Sequence, residues 1–227
     1  MLEKTLAQMI DHTLLKPDAS EQQLKVLCDQ CKEYHFKMAA INSGVTKKVA
    51  EFLKGSEVHV GAAISFPFGT NTIEAKVFET KDAILNGANE IDYVLNLAKL
   101  KAHDLAYIEE EMRKIKEVTE PNKIILKVIF ENCYLEKEDI ANACKVALEV
   151  KPDFIKTSTG YGTYGARKED VQLMKEIVGD QIQIKAAGGI RTLKEALEFV
   201  SLGASRIGTS HGIEIIKELR ENEISLK

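Results

Sequence analysis

The sequence alternates between short β-branched runs and longer amphipathic stretches, and the alternation recurs along the whole chain with little variation. Apolar residues with a two-residue period predict strands, and those that recur every three to four positions predict helices. We predict strands at 9–14, 37–42, 57–65, 90–96, 123–131, 153–158, 181–188 and 205–210. We predict helices near 20–34, 46–53, 72–86, 103–118, 137–149, 168–178, 192–201 and 211–220.

Eight strand–helix pairs are the repeat of a (β/α)₈ barrel, and about 28 residues per pair is near the low end for this architecture. A doubly wound open sheet shares the alternation. However, no GxGxxG motif follows the first strand, and no strand is purely apolar, as central strands of open sheets tend to be. We therefore predict the α/β fold class, with a single (β/α)₈ TIM-barrel domain over residues 1–227 and a short N-terminal helix before the first strand.

Composition limits the classes of function. The chain is 44% hydrophobic and has a net charge of −4 with scattered Lys and Arg, which argues against a nucleic-acid partner. The N-terminal MLEKTLAQMI is too polar for a signal peptide, and no apolar run reaches membrane-spanning length. We expect a cytoplasmic protein that does not bind a membrane.

Two of the four cysteines, Cys28 and Cys31, have the spacing of a redox or zinc motif. They lie inside a predicted helix, and no second pair of cysteine or histidine residues complements them. We predict buried helix thiols and no metal site.

Several predicted strands carry an ionisable residue opposite their apolar face. In strand 181–188, Ile182 and Ile184 suit the helix layer, so Lys185 points into the barrel. The same alternation places further charged side chains inside: Asp11, Asp92, Lys127, Glu131 and Lys156. A single inward charge is explained equally well by a structural ion pair. Five or six together indicate a site, because desolvation tends to cancel the Coulomb gain of a purely structural network.

Lys156 and Lys185 lie on neighbouring predicted strands, which are about 4.8 Å apart in a sheet. Like charges at that range favour the neutral form of one amine. A neutral lysine is a nucleophile for carbonyls and forms a Schiff base, which then acts as an electron sink. Asp92 on the fourth strand can move the protons that this chemistry needs, directly or through water.

Glycine-rich turns follow the seventh and eighth strands, in Ala187–Arg191 and Ile207–Gly212. In barrels, the loops at these two places often bind phosphate through backbone N–H groups and a helix N-terminus. Arg191 or Ser210 could add donors. The pair of loops predicts a phosphorylated ligand.

Eight segments along the chain, in order, are DHTLLKP, FPFGTN, EIDYVLN, LKVIFENCYL, DFIKTSTGYGTYGA, EDVQLMKE, IKAAGGIRT and RIGTSHG. Together they resemble one known family, 2-deoxyribose-5-phosphate aldolase, a class I aldolase on a (β/α)₈ barrel. The resemblance implies reversible cleavage of 2-deoxy-D-ribose 5-phosphate to D-glyceraldehyde 3-phosphate and acetaldehyde, without a metal or organic cofactor. It also implies a phosphosugar substrate and a homodimer or homotetramer.

The resemblance assigns roles to individual residues. Lys156 falls on the Schiff-base lysine, Lys185 on the partner that lowers its pKa, and Asp92 on the proton-relay aspartate. The substrate and phosphate contacts fall on Gly160, Gly188, Gly189, Gly208 and Ser210, with Asp11, Lys127 and Thr159 in support.

The chain departs from the family pattern at three positions near the site. His211 stands where a second serine is common in the phosphate loop, and Ala187 stands where a serine usually follows Lys185. Ala40 stands where many members carry a cysteine that aldehyde products modify. Two alternatives stay open: another Schiff-base aldolase such as transaldolase, and a phosphosugar-binding barrel without catalysis.

Overall fold

The computed structural model describes residues 3–225, with side chains described through residue 222. Its strands form one closed parallel barrel in sequence order, and β8 pairs with β1 to complete it. They are β1 Ile10–Leu14, β2 Met38–Asn42, β3 His59–Ile64, β4 Glu90–Val94, β5 Ile125–Ile129, β6 Phe154–Lys156, β7 Gln183–Ala187 and β8 Ala204–Thr209. The predicted barrel is confirmed.

The helices alternate with the strands, as predicted, and a short helix precedes β1. They are α1 Glu3–Ala7, α2 Glu21–Glu33, α3 Thr46–Leu53, α4 Ile73–Leu85, α5 Leu97–Lys101, α6 Leu105–Thr119, α7 Lys137–Val150, α8 Lys168–Val178, α9 Leu193–Ser201 and α10 Gly212–Ser225. Helix α5 was not predicted. Single 3₁₀ turns occupy 43–45, 120–122 and 132–134. The single domain over 1–227 stays a prediction.

The hydrophobic core lies between the strands and the surrounding helices. Strand residues of one parity form it together with helix residues, as Ile91 on β4, Ile155 on β6 and Ile207 on β8 illustrate. All three are fully buried, and each stabilises the fold by about 1.5–3 kcal/mol relative to an exposed position. The alternate residues of each strand face the interior of the barrel, so the ionisable side chains among them meet there.

Strand register brings these interior residues level with each other. Lys156 is the register partner of Lys185 across β6 and β7, and Asp92 is the partner of Lys127 across β4 and β5. Lys185 is in turn the partner of Arg206 across β7 and β8. The interior charges therefore occupy adjacent strands and are close enough for direct contact.

Cys28 and Cys31 pack on the buried face of α2 in the hydrophobic core. Burial raises the pKa of Cys28 to about 11 and raises that of Cys31 well above its usual value. The prediction of buried helix thiols is confirmed. Over residues 3–225, no helix is both long and apolar enough to cross a membrane.

Candidate active site

Asp92 is the centre of the charged interior. Its Oδ2 atom accepts hydrogen bonds from Lys156 Nζ at 2.8 Å and from Lys185 Nζ at 2.7 Å. Its Oδ1 atom accepts a hydrogen bond from Lys127 Nζ at 2.8 Å. All four side chains are almost fully buried. The structure thus brings the predicted lysines and this carboxylate into one cluster.

The pKa values of Asp92 and Lys156 are both lowered, but for different reasons. Burial alone would raise the pKa of Asp92, but the charges of Lys127, Lys156 and Lys185 outweigh burial and hold it well below its usual range. The pKa of Lys156 is lowered to about 8, first by burial and then by the charges of Lys185 and Lys127, against the opposing pull of Asp92. Lys156 therefore supplies a substantial fraction of neutral amine near neutral pH.

A second layer of charges lies toward the N-terminal end of the barrel. Asp11 Oδ2 is 2.5 Å from Lys185 Nζ, and Glu90 forms an ion pair with Lys127. Arg206 joins the two carboxylates, since its Nε donates to Asp11 at 2.8 Å and its Nη2 donates to Glu90 at 2.8 Å. Sequence reasoning missed Glu90 and Arg206.

Glu131 lies beyond the end of β5 and is not part of that strand. Its backbone is left-handed, with φ of 54°, and its carboxylate accepts hydrogen bonds from the N–H and the hydroxyl of Thr159. Burial raises the pKa of Glu131, although the bonds from Thr159 and the charge of Lys156 oppose the shift. The prediction that strand β5 runs to residue 131 was wrong, but the side chain still reaches the loop after β6.

A cavity of about 310 Å³ opens at the C-terminal ends of β1, β6, β7 and β8. All five predicted substrate and phosphate contacts line it: Gly160, Gly188, Gly189, Gly208 and Ser210. Lys156 and Thr159 line it with them. Among the described residues, Lys156 is the one lysine of the central cluster that lines this cavity. Thr13 and Lys16 line the cavity as well. Both belong to the motif DHTLLKP, but the sequence analysis singled out only Asp11 from it.

Two glycines of the cavity wall, Gly188 and Gly208, sit where a side chain would not fit. A Cβ at Gly208 would lie 2.8 Å from the Cβ of Ala187 and 3.1 Å from Cε of Lys185. Gly188 has φ of +87°, and a Cβ there would meet the Cα of Gly165 at 2.9 Å. Bare backbone therefore faces the cavity at both loops, and a small anion can approach the amide groups closely.

Of the two helices that begin at this wall, α10 is the better anion site. The side chain of Glu195 accepts hydrogen bonds from the N–H groups of Arg191 and Thr192, so a carboxylate already occupies the start of α9. Ser210 and His211 line the cavity immediately before α10, and Ser210 Oγ lies 3.1 Å from His211 Nδ1. A phosphate group fits best between the turn at Gly188 and the start of α10.

Tyr161 and Tyr164 lie in the loop that follows β6. Tyr161 lines the cavity, and its hydroxyl donates to the carbonyl of Leu15 at 2.8 Å. Tyr164 instead donates to the carbonyl of Asn132, with Arg167 stacked 3.4 Å from its ring centroid. Only Tyr161 lies where it can cover a ligand in this cavity.

The described part of the chain has no group of three or more His, Cys, Asp or Glu side chains that could hold a metal ion. The arrangement instead offers a buried lysine amine that opens into a cavity with an anion-binding wall. A carbonyl compound that carries a phosphate would reach both features at once, and imine formation is the chemistry that such an amine supports.

Comparison with known proteins gives consistent matches over nearly the whole chain. The model of the family described as DeoC/LacD family aldolase matches residues 5–218. The chain is 55% identical over 214 residues to a deoxyribose-phosphate aldolase of Lactobacillus acidophilus, covering 94% of this chain and 90% of that protein. It is 47% identical over 216 residues to one of Bacteroides thetaiotaomicron, covering 95% and 91% of the two chains.

Solved structures agree with these matches. A structure named QR15, an aldolase, superposes with a TM-score of 0.92 at 35% identity and covers 98% of this chain and 99% of its own. A tetrameric deoxyribose phosphate aldolase from Aeropyrum pernix superposes with a TM-score of 0.90 at 26% identity, covering 97% and 93% of the two chains.

Proposed function

The chain belongs to the DeoC/LacD family of aldolases, and from that premise we propose that it reversibly cleaves 2-deoxy-D-ribose 5-phosphate to D-glyceraldehyde 3-phosphate and acetaldehyde. The activity is that of a class I aldolase, a lyase that works through a lysine Schiff base. The observation that carries the assignment is Lys156, a buried amine with a pKa of about 8 that lines a cavity with a glycine-rich wall.

Lys156 is the nucleophile in this proposal. Its neutral amine adds to the aldehyde carbon of the open-chain sugar, and loss of water gives a protonated imine. The imine draws electrons from the C2–C3 bond of the sugar. As this bond breaks, the C3 hydroxyl gives its proton to solvent water and becomes the aldehyde of D-glyceraldehyde 3-phosphate, and an enamine is left on Lys156. Protonation of the enamine carbon and addition of water then release acetaldehyde and restore the amine.

Asp92 and Lys185 manage the protons. Both lysine amines contact the same oxygen of Asp92, so that oxygen connects the nucleophile to a second cation. Because Asp92 contacts three lysine amines, its pKa is held low and it orients them, while the Lys185 ammonium is the proton donor in the pair. Asp11 and Lys127 hold this pair in place through their own contacts.

The phosphate binds at the glycine wall, between Gly188 and Gly189 on one side and Gly208 and Ser210 on the other. These residues line the same cavity as Lys156. Gly160 and Thr159 line it beside the reactive lysine and complete the substrate contacts. Binding at the phosphate then positions the aldehyde end of the sugar at the amine.

Borohydride reduction in the presence of acetaldehyde, followed by peptide mass mapping, tests the proposal. We expect a two-carbon adduct on Lys156 and none in a Lys156→Met variant. Lys76→Met is the matched control, because Lys76 is a fully buried lysine that pairs with Glu111 in the helix layer. An adduct only on another lysine, or no adduct, contradicts the assignment, and a ketose-derived adduct instead favours a transaldolase-like activity.

The proposal includes assembly and location. A homodimer or homotetramer is supported by the tetrameric aldolase from Aeropyrum pernix, and light scattering coupled to size-exclusion chromatography tests it. A cytoplasmic location is supported by the four cysteines, all of which are free thiols, as is usual in a reducing compartment.

A further inference from the structure

The three central lysines differ in how many carboxylates they contact. Lys185 contacts both Asp92 and Asp11, whereas Lys127 contacts both Asp92 and Glu90. Among the described side chains, Lys156 forms an ion pair with Asp92 alone. The lysine with a single carboxylate partner is also the one that lines the cavity.

Arg206 is the residue that holds the two additional carboxylates in position. Its guanidinium contacts Asp11 and Glu90, and it lies 5.6 Å from the ring centroid of Phe154. Of its charged neighbours, only Asp11 and Glu90 form ion pairs with it among the described residues, and the side chain is about 6% exposed. An arginine cannot release its proton in a protein, so this charge is permanent.

Glu90 is fixed from its other side by a histidine. Glu90 Oε1 lies 2.5 Å from His59 Nδ1, and Lys37 Nζ lies 3.3 Å from His59 Nε2. An ammonium group can only donate, so Nε2 is the acceptor and the proton is on Nδ1, directed at Glu90. His59 therefore orients the carboxylate of Glu90.

The net charge of the cluster shows how Arg206 affects the protonation of the lysines. The connected interior holds four cationic side chains and three carboxylates: Lys127, Lys156, Lys185 and Arg206 against Asp11, Glu90 and Asp92. Because Arg206 keeps its charge, the cluster becomes neutral only when one lysine loses its proton. Glu131, whose pKa the charge of Lys156 affects, accepts hydrogen bonds from Thr159 and lies outside this network.

We propose that Arg206 is a positioning residue that, with Asp11 and Glu90, determines which of the three lysines becomes the neutral nucleophile. It supplies the surplus positive charge, and it holds second carboxylate partners against Lys185 and Lys127 but not against Lys156. The inference rests on the proposed function only in treating Lys156 as the nucleophile. The protonation of Lys156 can be measured without a substrate.

The test is a pH titration of protein labelled with ¹³C at lysine Cε, with the Lys156 signal identified by its loss in Lys156→Met. In the wild type we expect a midpoint near pH 8. In Arg206→Met we expect the midpoint to rise by about one unit, which lowers the neutral fraction at pH 7.5 about eightfold. Arg206→Lys keeps the charge and should restore a midpoint close to the wild-type value.

A purely structural role for Arg206 would lower stability without moving this midpoint. A folded Arg206→Met variant with an unchanged Lys156 midpoint therefore overturns the inference. If that variant does not fold, Glu90→Gln tests the opposite sign, because it removes a negative charge: the titration midpoint of Lys156 or that of Lys127 should fall. Neither change in a folded Glu90→Gln variant also overturns it.

The proposed function can fail separately from this inference. Absence of a Lys156 adduct in the borohydride experiment removes the Schiff-base assignment, while the titration still decides what Arg206 does. A Lys156 adduct together with an unmoved midpoint in Arg206→Met removes only the inference.

Discussion

Replacement of Lys185 by methionine should raise the pKa of Lys156 and slow the enzyme most at neutral pH. The nitrogens of Lys156 and Lys185 lie 2.8 and 2.7 Å from the same oxygen of Asp92, so their separation is at most the sum, about 5.5 Å. Two unit charges at that distance repel by about 3 kcal/mol at an effective dielectric of about 20. That energy corresponds to about two pKa units.

The expected loss of rate follows from the neutral fraction of Lys156. With a pKa of about 8, roughly a quarter of the amine is neutral at pH 7.5. With a pKa of about 10, roughly 0.3% is neutral, which is about a 75-fold loss in the rate of imine formation. Above about pH 10 the amine is neutral again, so most of this loss should disappear.

The measurement is the pH dependence of kcat/KM, with the rate of borohydride trapping as a second readout. The acid limb of the profile should move from near pH 8 toward pH 10 in Lys185→Met, and Lys76→Met should leave the limb in place. A uniform loss at every pH, with an unmoved limb, would refute the charge argument. Lys185 would then act through proton transfer alone.

Three further predictions concern the phosphate site, acid stability and tolerance of aldehydes. Ser210→Ala should raise KM several-fold for the phosphorylated sugar and much less for 2-deoxyribose, as steady-state kinetics can show, and an equal change for both sugars contradicts a phosphate contact. The depressed pKa values of Asp92 and Glu90 stabilise the fold above the ordinary carboxylate pKa near 4. This stabilisation is lost as the pH falls further, so urea unfolding at pH 7, 4 and 3 should show a steep decline that is shallower in Asp92→Asn; an equal slope would refute the linkage. Ala40→Cys should be inactivated by acetaldehyde at a concentration that the wild type tolerates, and matching time courses would contradict this family-based expectation.

Most of the fold could be predicted because the hydrophobic periodicity is clear in the strands and in the longer helices. The errors lie at the ends of elements, where single backbone conformations decide. Strand β5 begins at Ile125 and not at 123, since Lys123 is left-handed with φ of 56°, and it ends at Ile129 before the left-handed Glu131. Helix α5 has five residues and is capped by the side chain of Asn96, and so short a segment has too few turns for its periodicity to be recognised.

The charged site could be predicted in part, because alternate residues of a strand point to the same face. Once a strand is recognised, this alternation identifies its interior residues correctly. The same rule would have found Glu90, two residues before Asp92, and Arg206, two residues before Gly208. The sequence could not show how deeply each charged side chain is buried. Like-charge repulsion from Lys185 was the expected reason for a low pKa at Lys156, but burial is the larger cause. The degree of burial depends on how the whole barrel closes.

The stability of this barrel and the reactivity of Lys156 depend on the same set of charged side chains. Seven ionisable side chains lie in one interior. The free energy lost by removing their charges from water would exceed the Coulomb energy gained unless nearly every charge had several partners. Lys127 and Lys185 each meet two carboxylates and are suited to stay charged, whereas Lys156 meets one. The least compensated cation is the easiest to neutralise, and β6 ends at that residue, beside the cavity. Reactivity therefore lies where the ion-pair network is incomplete, and adding a carboxylate next to Lys156 should stabilise its ammonium form at the expense of catalysis.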